Sequence, residues 1–353
     1  MRKGKRLIAW IMAVVMLFTI CVFGGNGTAE AAATTPVAKH GRLSVKGADL
    51  VDSKGNKFQL RGISTHGINW DVGSPYVNKK AFKTLRDDWG VNAIRLVMYT
   101  EEYNGYCSGG SQAKLRKLVD KGVGYATDLG MYAIIDWHIL SDGNPNKNKS
   151  QAKKFFTTMA KKYKNNKNVI YEICNEPNGC GWKEIKSYAT DIIKTIRKYD
   201  KKAVIIVGTP TWSQLGTDGT SNEVADSPIK GYKNIMYSLH FYASEWAHNE
   251  YLPAKVAYAR KKKLPIIVSE FGLSPASGDG AINKASADKW MKLLNKYNIS
   301  YFCWSLSNKN ESASLLKPST KKTSGWKSGD LSTAGKYIKK KYLARKKALG
   351  KKA

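Results

Sequence analysis

The sequence predicts a single (β/α)8 barrel, a TIM barrel, and three observations carry that prediction. Eight short β-branched, apolar runs recur along the chain, as parallel strands covered on both faces require. Between them lie stretches of 11 to 18 residues with apolar positions at helical spacing. The open doubly wound sheet shares this alternation but normally carries a Gly-rich phosphate loop after its first strand, and none follows the first run here.

In chain order, residues 1–31 read as a secretory signal peptide. MRKGKR is a charged start, Leu7 to Phe23 is apolar, and Ala29-Glu30-Ala31 offers small residues for cleavage. Residues 32–56 form an N-terminal segment in which GRLSVKGADLVDSKGNKF reads as a small hairpin plugging the barrel floor. Its turns fall at Lys46-Gly47 and Lys54-Gly55-Asn56. The barrel is expected over 57–343, with strands at Phe58–Ile63, Ala93–Tyr99, Tyr132–Asp136, Val169–Ile173, Val204–Val207, Ile235–Leu239, Pro265–Ser269 and Ser300–Trp304. Among the helices, Leu115, Leu118, Val119, Gly122, Ala126 and Leu129 make one stripe, closed by Gly130. Ser150 reads as an N-cap before Ala152, Phe155, Phe156, Met159, Ala160 and Tyr163; Trp182, Ile185, Ala189, Ile192, Ile193 and Ile196 make a third stripe. Residues 344–353 read as a basic, frayed tail.

The chain has 353 residues, 59 basic and 27 acidic, for a net charge of +32. Residues 1–31 hold four bases and one acid, so cleavage would leave +29. An apolar content of 42% excludes a disordered chain, and a mean hydropathy of −0.42 excludes a polytopic membrane protein. The lysines are spread along the chain, outside any basic recognition motif. They read as a solvated surface, attracted at most to anionic cell-wall polymers, and not as a nucleic-acid interface. Four cysteines follow the signal peptide: Cys174 and Cys303 lie in apolar runs and read as buried thiols, while Cys107 and Cys180 lie in Gly-rich loops where a pairing stays open.

In a parallel barrel the C-terminal strand ends converge on one mouth. The residues there are His66 and Trp70, Arg95 and Tyr99, His138, Asn175 and Glu176, Trp212, His240 and Tyr242, Glu270, and Trp304, from the first strand to the eighth. Glu176 and Glu270 each follow an apolar run and so sit at the rim of a low-dielectric core. Two carboxyls brought close there cannot both ionise easily, so one holds its proton and the other stays charged. That is the division of labour that glycoside hydrolysis needs. Three Trp side chains beside His and Asn suit a sugar groove, because pyranose C–H faces stack on flat rings. A zinc site built from His66, His138 and His240 is disfavoured, because neither HxH nor HExxH spacing occurs.

The runs STHGINW, DWHILSD, CNEPNG, GTPTWSQ and VSEFG resemble glycoside hydrolase family five, in particular its secreted bacterial endoglucanases, from about His40 to Lys340. The resemblance implies a (β/α)8 barrel with Glu176 as acid/base and Glu270 as nucleophile, and no metal or cofactor. It implies that Asn175 bonds the sugar 2-hydroxyl, that Arg95 and Tyr242 hold Glu270, and that His138 and His240 line the cleavage point. Trp304 would stack under the reacting sugar, with His66 and Trp70 toward the non-reducing side and Trp212 on the leaving-group side. Lys309 and Glu311 would contact distal sugars. Two positions depart from the family pattern: Phe271 follows the nucleophile where Trp is usual, and Asn310 stands where Asp is common.

The expected protein is therefore a secreted, monomeric, retaining endo-β-1,4-glucanase acting on a β-glucan polysaccharide. The rivals are another β-glycanase of the family, acting on mannan, xyloglucan or mixed-linkage glucan, and a non-catalytic wall-binding protein.

Overall fold

The computed structural model describes residues 35–350, so the expected signal peptide lies outside the described residues. The barrel closes in the order β8-β1-β2-β3-β4-β5-β6-β7, every ladder parallel. Its strands are β1 (Arg61–Thr65), β2 (Ala93–Tyr99), β3 (Tyr132–His138) and β4 (Val169–Glu172), then β5 (Ile205–Val207), β6 (Ile235–Tyr242), β7 (Ile266–Gly272) and β8 (Tyr301–Leu306).

Residue alternation divides the structure into two cores. Side chains on one strand face, such as Ile94, Ile135, Tyr171 and Ile205, pack outward against the helix ring. The opposite face fills the barrel floor with Ala93, Ile134, Ile170, Ile206, Met236, Ile267 and Phe302. Gly62 belongs to this layer because a Cβ there would lie 2.0 Å from the Phe302 ring. The expected plug is present: Ser44–Lys46 and Asp49–Val51 pair antiparallel, and Leu43, Leu50, Phe58 and Leu60 complete the floor.

Several boundaries differ from expectation. The first strand begins at Arg61, because Phe58 to Leu60 are spent on the floor, Phe58 N–H bonding Leu50 O. Strands β3, β6, β7 and β8 run two or three residues further than their apolar runs, carrying His138, His240, Tyr242 and Glu270 inside the ladders. The helix after β3 starts at Lys149, which places Ser150 inside Lys149–Tyr163 and not at its N-terminal boundary. Gly130 does end Gln112–Asp128, at φ 62°, with Met131 N–H bonding Ala126 O. No long helix follows β5; only Pro210–Ser213 and Glu223–Asp226 form in a stretch rich in Gly, Pro, Ser, Thr and Asp. The residues expected as a frayed tail from 344 are helical through Gly350, because Thr333–Gly350 docks Tyr337, Ile338 and Tyr342 in the core and Arg345 bonds Gln59 Oε1. Cys107, Cys174, Cys180 and Cys303 are all free, the second and fourth buried.

Candidate active site

Above the apolar floor the inward face turns polar. On β3 the sequence Ile134, Asp136, His138 climbs one face from floor to mouth; on β4 the step is Ile170 to Glu172. Arg95 lies two residues above Ala93 on β2 and is wholly buried. Its guanidinium is the hub of the site. Nε meets Glu172 Oε2 at 2.7 Å, Nη1 meets Glu270 Oε2 at 3.0 Å, and Nη2 meets Asp136 Oδ2 at 3.1 Å and Asn175 Oδ1 at 2.6 Å. Such a planar fork can bind several carboxylates at fixed angles.

One guanidinium cannot balance all the acids around it. Asp136 is pushed up to about 7 by burial, against the lowering effect of Arg95. Burial raises Glu172 in the same way. Glu176 is pushed up to about 8, chiefly by burial, with Arg95 opposing and Asp136 and Glu172 adding like charge. Burial therefore favours the protonated form of Glu176 at neutral pH. Glu270 has both oxygens bonded, Oε2 to Arg95 and Oε1 to the Tyr242 hydroxyl at 2.8 Å. One oxygen of each glutamate and a His240 ring nitrogen all lie within 4.8 Å of one another.

The histidines have assigned partners. Asn175 Nδ2 donates to His138 Nε2 at 3.2 Å, so Nδ1–H of His138 donates to Asp136 at 2.6 Å. This fixes the Asn175 amide, with its oxygen on Arg95. His240 Nδ1 meets Glu176 Oε1 at 2.7 Å, and its Nε2 meets Ser269 Oγ at 2.9 Å. Burial lowers His240 to about 4 and His138 well below its ordinary value, so both are neutral imidazoles at pH 7. His66 accepts from Gly67 N–H at Nδ1 and turns Nε2 toward Glu311 Oε1 at 3.8 Å; burial drops it to about 3.

Around this hub the aromatics form a continuous wall. Trp70 packs on Tyr99, Tyr99 on His138, His138 stacks on Trp304 with centroids 5.5 Å apart, and His66 bridges Trp304 and Trp70. Lys309 Nζ meets buried Glu311 at 2.5 Å beside His66, placing both at this end of the mouth. Trp212 stands apart. It follows β5, which lies across the closed barrel from β1, and it is 47% exposed. Its backbone N–H bonds Pro177 O, next to Glu176, at a left-handed φ of 52°.

All the expected site residues thus lie around one mouth, with the glutamate pair between the Trp70 wall and Trp212. The histidines of the disfavoured zinc reading each turn to a different carboxylate: His138 to Asp136, His240 to Glu176 and His66 to Glu311. The sequence reading did not pick out Asp136, Glu172 or Ser269, which hold Arg95 and His240. Asp136 lies two residues below His138 and Glu172 two above Ile170, and that period-two spacing is the available signal; Ser269, directly before Glu270, carries none.

A closed parallel barrel with two carboxyls at the ends of β4 and β7, one held protonated and one held by Arg and Tyr, has the constitution of a retaining glycoside hydrolase. Residues 51–310 match the family model described as Cellulase (glycosyl hydrolase family 5). An endoglucanase of Clostridium saccharobutylicum is 47% identical over 341 residues, spanning 95% of this chain and 72% of that protein. Endoglucanase 5 of Pectobacterium carotovorum subsp. carotovorum is 44% identical over 92% of this chain, which spans 62% of its length. The catalytic domain of a Thermobifida fusca endoglucanase solved with cellotetraose superposes with a TM-score of 0.80 at 36% identity, over 88% of this chain and 99% of that one. The chain belongs to glycosyl hydrolase family 5, the cellulase family.

Proposed function

We propose that the protein is a secreted endo-β-1,4-glucanase that cleaves internal bonds of cellulose or related β-glucans by double displacement with retention. The observation that carries this reading is the glutamate pair, with oxygens within 4.8 Å, in a mouth walled by aromatics at both ends. Retaining pairs stand ~5–5.5 Å apart, whereas inverting pairs stand ~6.5–9.5 Å apart to admit a water. An open groove with stacking surfaces on both sides suits a chain passing through it, hence internal cleavage. No helix among the described residues is long and apolar enough to cross a membrane. Secretion rests on the expected signal peptide, and monomeric action on a barrel whose site needs no second chain.

In the first step Glu270, held by Arg95 and Tyr242, attacks the anomeric carbon. Glu176 gives its proton to the departing glycosidic oxygen. His240 bonds Oε1 of Glu176, and no described residue bonds Oε2, which leaves that oxygen to carry the proton. The Asn175 amide offers hydrogen bonds at the 2-hydroxyl position. Once Glu270 is an ester, one like charge has left the site, and Glu176 as carboxylate activates water to release the sugar with retained configuration.

The pH profile follows from Glu176. The enzyme is active with this carboxyl protonated, so kcat/KM falls as pH rises through about 8. An aryl cellobioside with a dinitrophenolate leaving group needs no proton, so its glycosylation rate should lack this alkaline limb. A limb of equal position on both substrates would point to a different group.

Trp304 stacks on His138 at the end of β8, beneath the reacting sugar, whose shape changes toward the transition state. Trp304→Ala should lower kcat on the order of 100-fold. Trp212→Ala should leave turnover of an activated aryl cellobioside within about threefold while slowing cello-oligosaccharides about tenfold. Equal effects of both changes on both substrates would remove this assignment of sides. Product analysis on carboxymethylcellulose, mannan and xyloglucan tests the sugar: cellulose should give short cello-oligosaccharides with a rapid fall in viscosity. Faster turnover of mannan or xyloglucan would replace the glucan reading.

A further inference from the structure

At the end of the barrel away from the mouth, a cavity of about 510 Å³ opens between the start of β1, the start of β2, the end of the Lys79–Trp89 helix and the C-terminal helix. Arg61, Lys83, Arg86 and Lys346 line it, with Asp87 the one acid. Lys83 and Arg86 both pair with Asp87, at 2.5 and 2.7 Å. Arg61 is different. It is only 8% exposed, yet no carboxylate among the described residues pairs with it. Its Nε donates to Gly90 O at 3.3 Å, its backbone N–H bonds Asn92 Oδ1, and no described residue bonds either Nη.

A buried guanidinium without a counter-charge is costly, because desolvation is not offset by an ion pair. The nearby Arg345 adds like charge to Arg61. Asp87 cannot serve both its own partners and Arg61. The two Nη groups, which no described residue bonds, form a planar fork that matches two oxygens of a phosphate or phosphodiester, and Lys346 adds a further cation on the rim. The volume leaves room for substituents on the phosphate.

We propose that this cavity binds an oxyanion of the phosphate class, with Arg61 as its anchor and Lys346 as a rim contact. The site is independent of the catalytic reading, because it lies at the opposite end of the barrel. A phosphodiester polymer held there would leave the mouth free to work on glucan, so a basic enzyme could be retained on an anionic matrix while active. Free inorganic phosphate presents the same chemistry.

The test is calorimetric titration of the full-length protein with inorganic phosphate, at ionic strength held constant with sodium chloride. The wild type should bind one phosphate saturably. Arg61→Gln should weaken binding at least about tenfold, the loss of one charge-assisted pair. Lys346→Gln, on the rim and safe for folding, should weaken it about threefold. Neither change should alter kcat/KM on an aryl cellobioside, which also confirms that the variants are folded. A glycerol-phosphate oligomer that competes with phosphate identifies a polymer as the ligand; failure to compete, with phosphate still bound through Arg61, identifies the free anion. Non-saturable heat, or equal phosphate affinity in wild type, Arg61→Gln and Lys346→Gln, would show only general attraction to the lysine surface and overturn the proposal.

Discussion

Glu270→Ala is expected to lose activity on cellulose on the order of 10⁴-fold or more, because no other group can form the first covalent bond. The change also opens a hole on one face of the sugar. Azide entering that hole should attack an activated β-cellobiosyl fluoride, whose fluoride leaves from the opposite face, and give the inverted α-azide. Glu176→Ala should behave oppositely. It should lose roughly 10²–10⁴-fold on cellulose, whose leaving group needs a proton. With dinitrophenyl cellobioside it should show a rapid burst, accumulate glycosyl-enzyme, and be rescued by azide with retained configuration. The asymmetry has a geometric cause: Glu270 is fixed by Arg95 and Tyr242 on one side, Glu176 by His240 on the other. The reverse pattern of azide products would exchange the two roles.

Arg95→Met should be the most damaging change outside the glutamate pair. It keeps the chain length but removes the cation that Asp136, Glu172 and Glu270 share. Breaking buried pairs of this kind costs about 3–5 kcal/mol. That should lower the melting temperature on the order of 10 °C at neutral pH. The sign with pH is specific. Without Arg95, Asp136 and Glu172 lose its lowering influence, so their folded pKa values lie further above the unfolded ones. The folded state then binds more protons than the unfolded state, and stability falls as pH rises from about 4 toward neutrality. The variant should thus regain part of its loss at pH 5. Arg95→Lys should not restore activity, because one ammonium cannot reach Glu172, Glu270 and Asn175 at their separate angles. Full activity in Arg95→Lys would show that charge alone, not the fork, holds Glu270.

The meeting of Glu176 and Glu270 was legible because each follows an apolar strand run, and a parallel barrel sends all such ends to one mouth. The aromatics were legible for the same reason. What sequence hid was the layer beneath. Asp136 and Glu172 sit within strand-like runs, and a single charge there reads as an interruption. Only the pairing of β2, β3 and β4 brings them onto Arg95. The apolar runs stop short of the strand ends because polar residues such as His240 and Glu270 look like loop, yet they are ladder residues, which holds them rigidly. The missing helix after β5 has a local cause in its turn-forming composition. The helical tail has a distant one, since its order comes from Tyr342 and Arg345 docking on residues far away in sequence.

Glu176 and Glu270 are proposed to act from opposite faces of one sugar in two displacements. Proton NMR of the first products released from cellopentaose reads this directly, before mutarotation mixes the anomers. The β-anomer should appear first and the α-anomer grow later. Initial release of the α-anomer would mean a single displacement by water, and would contradict it.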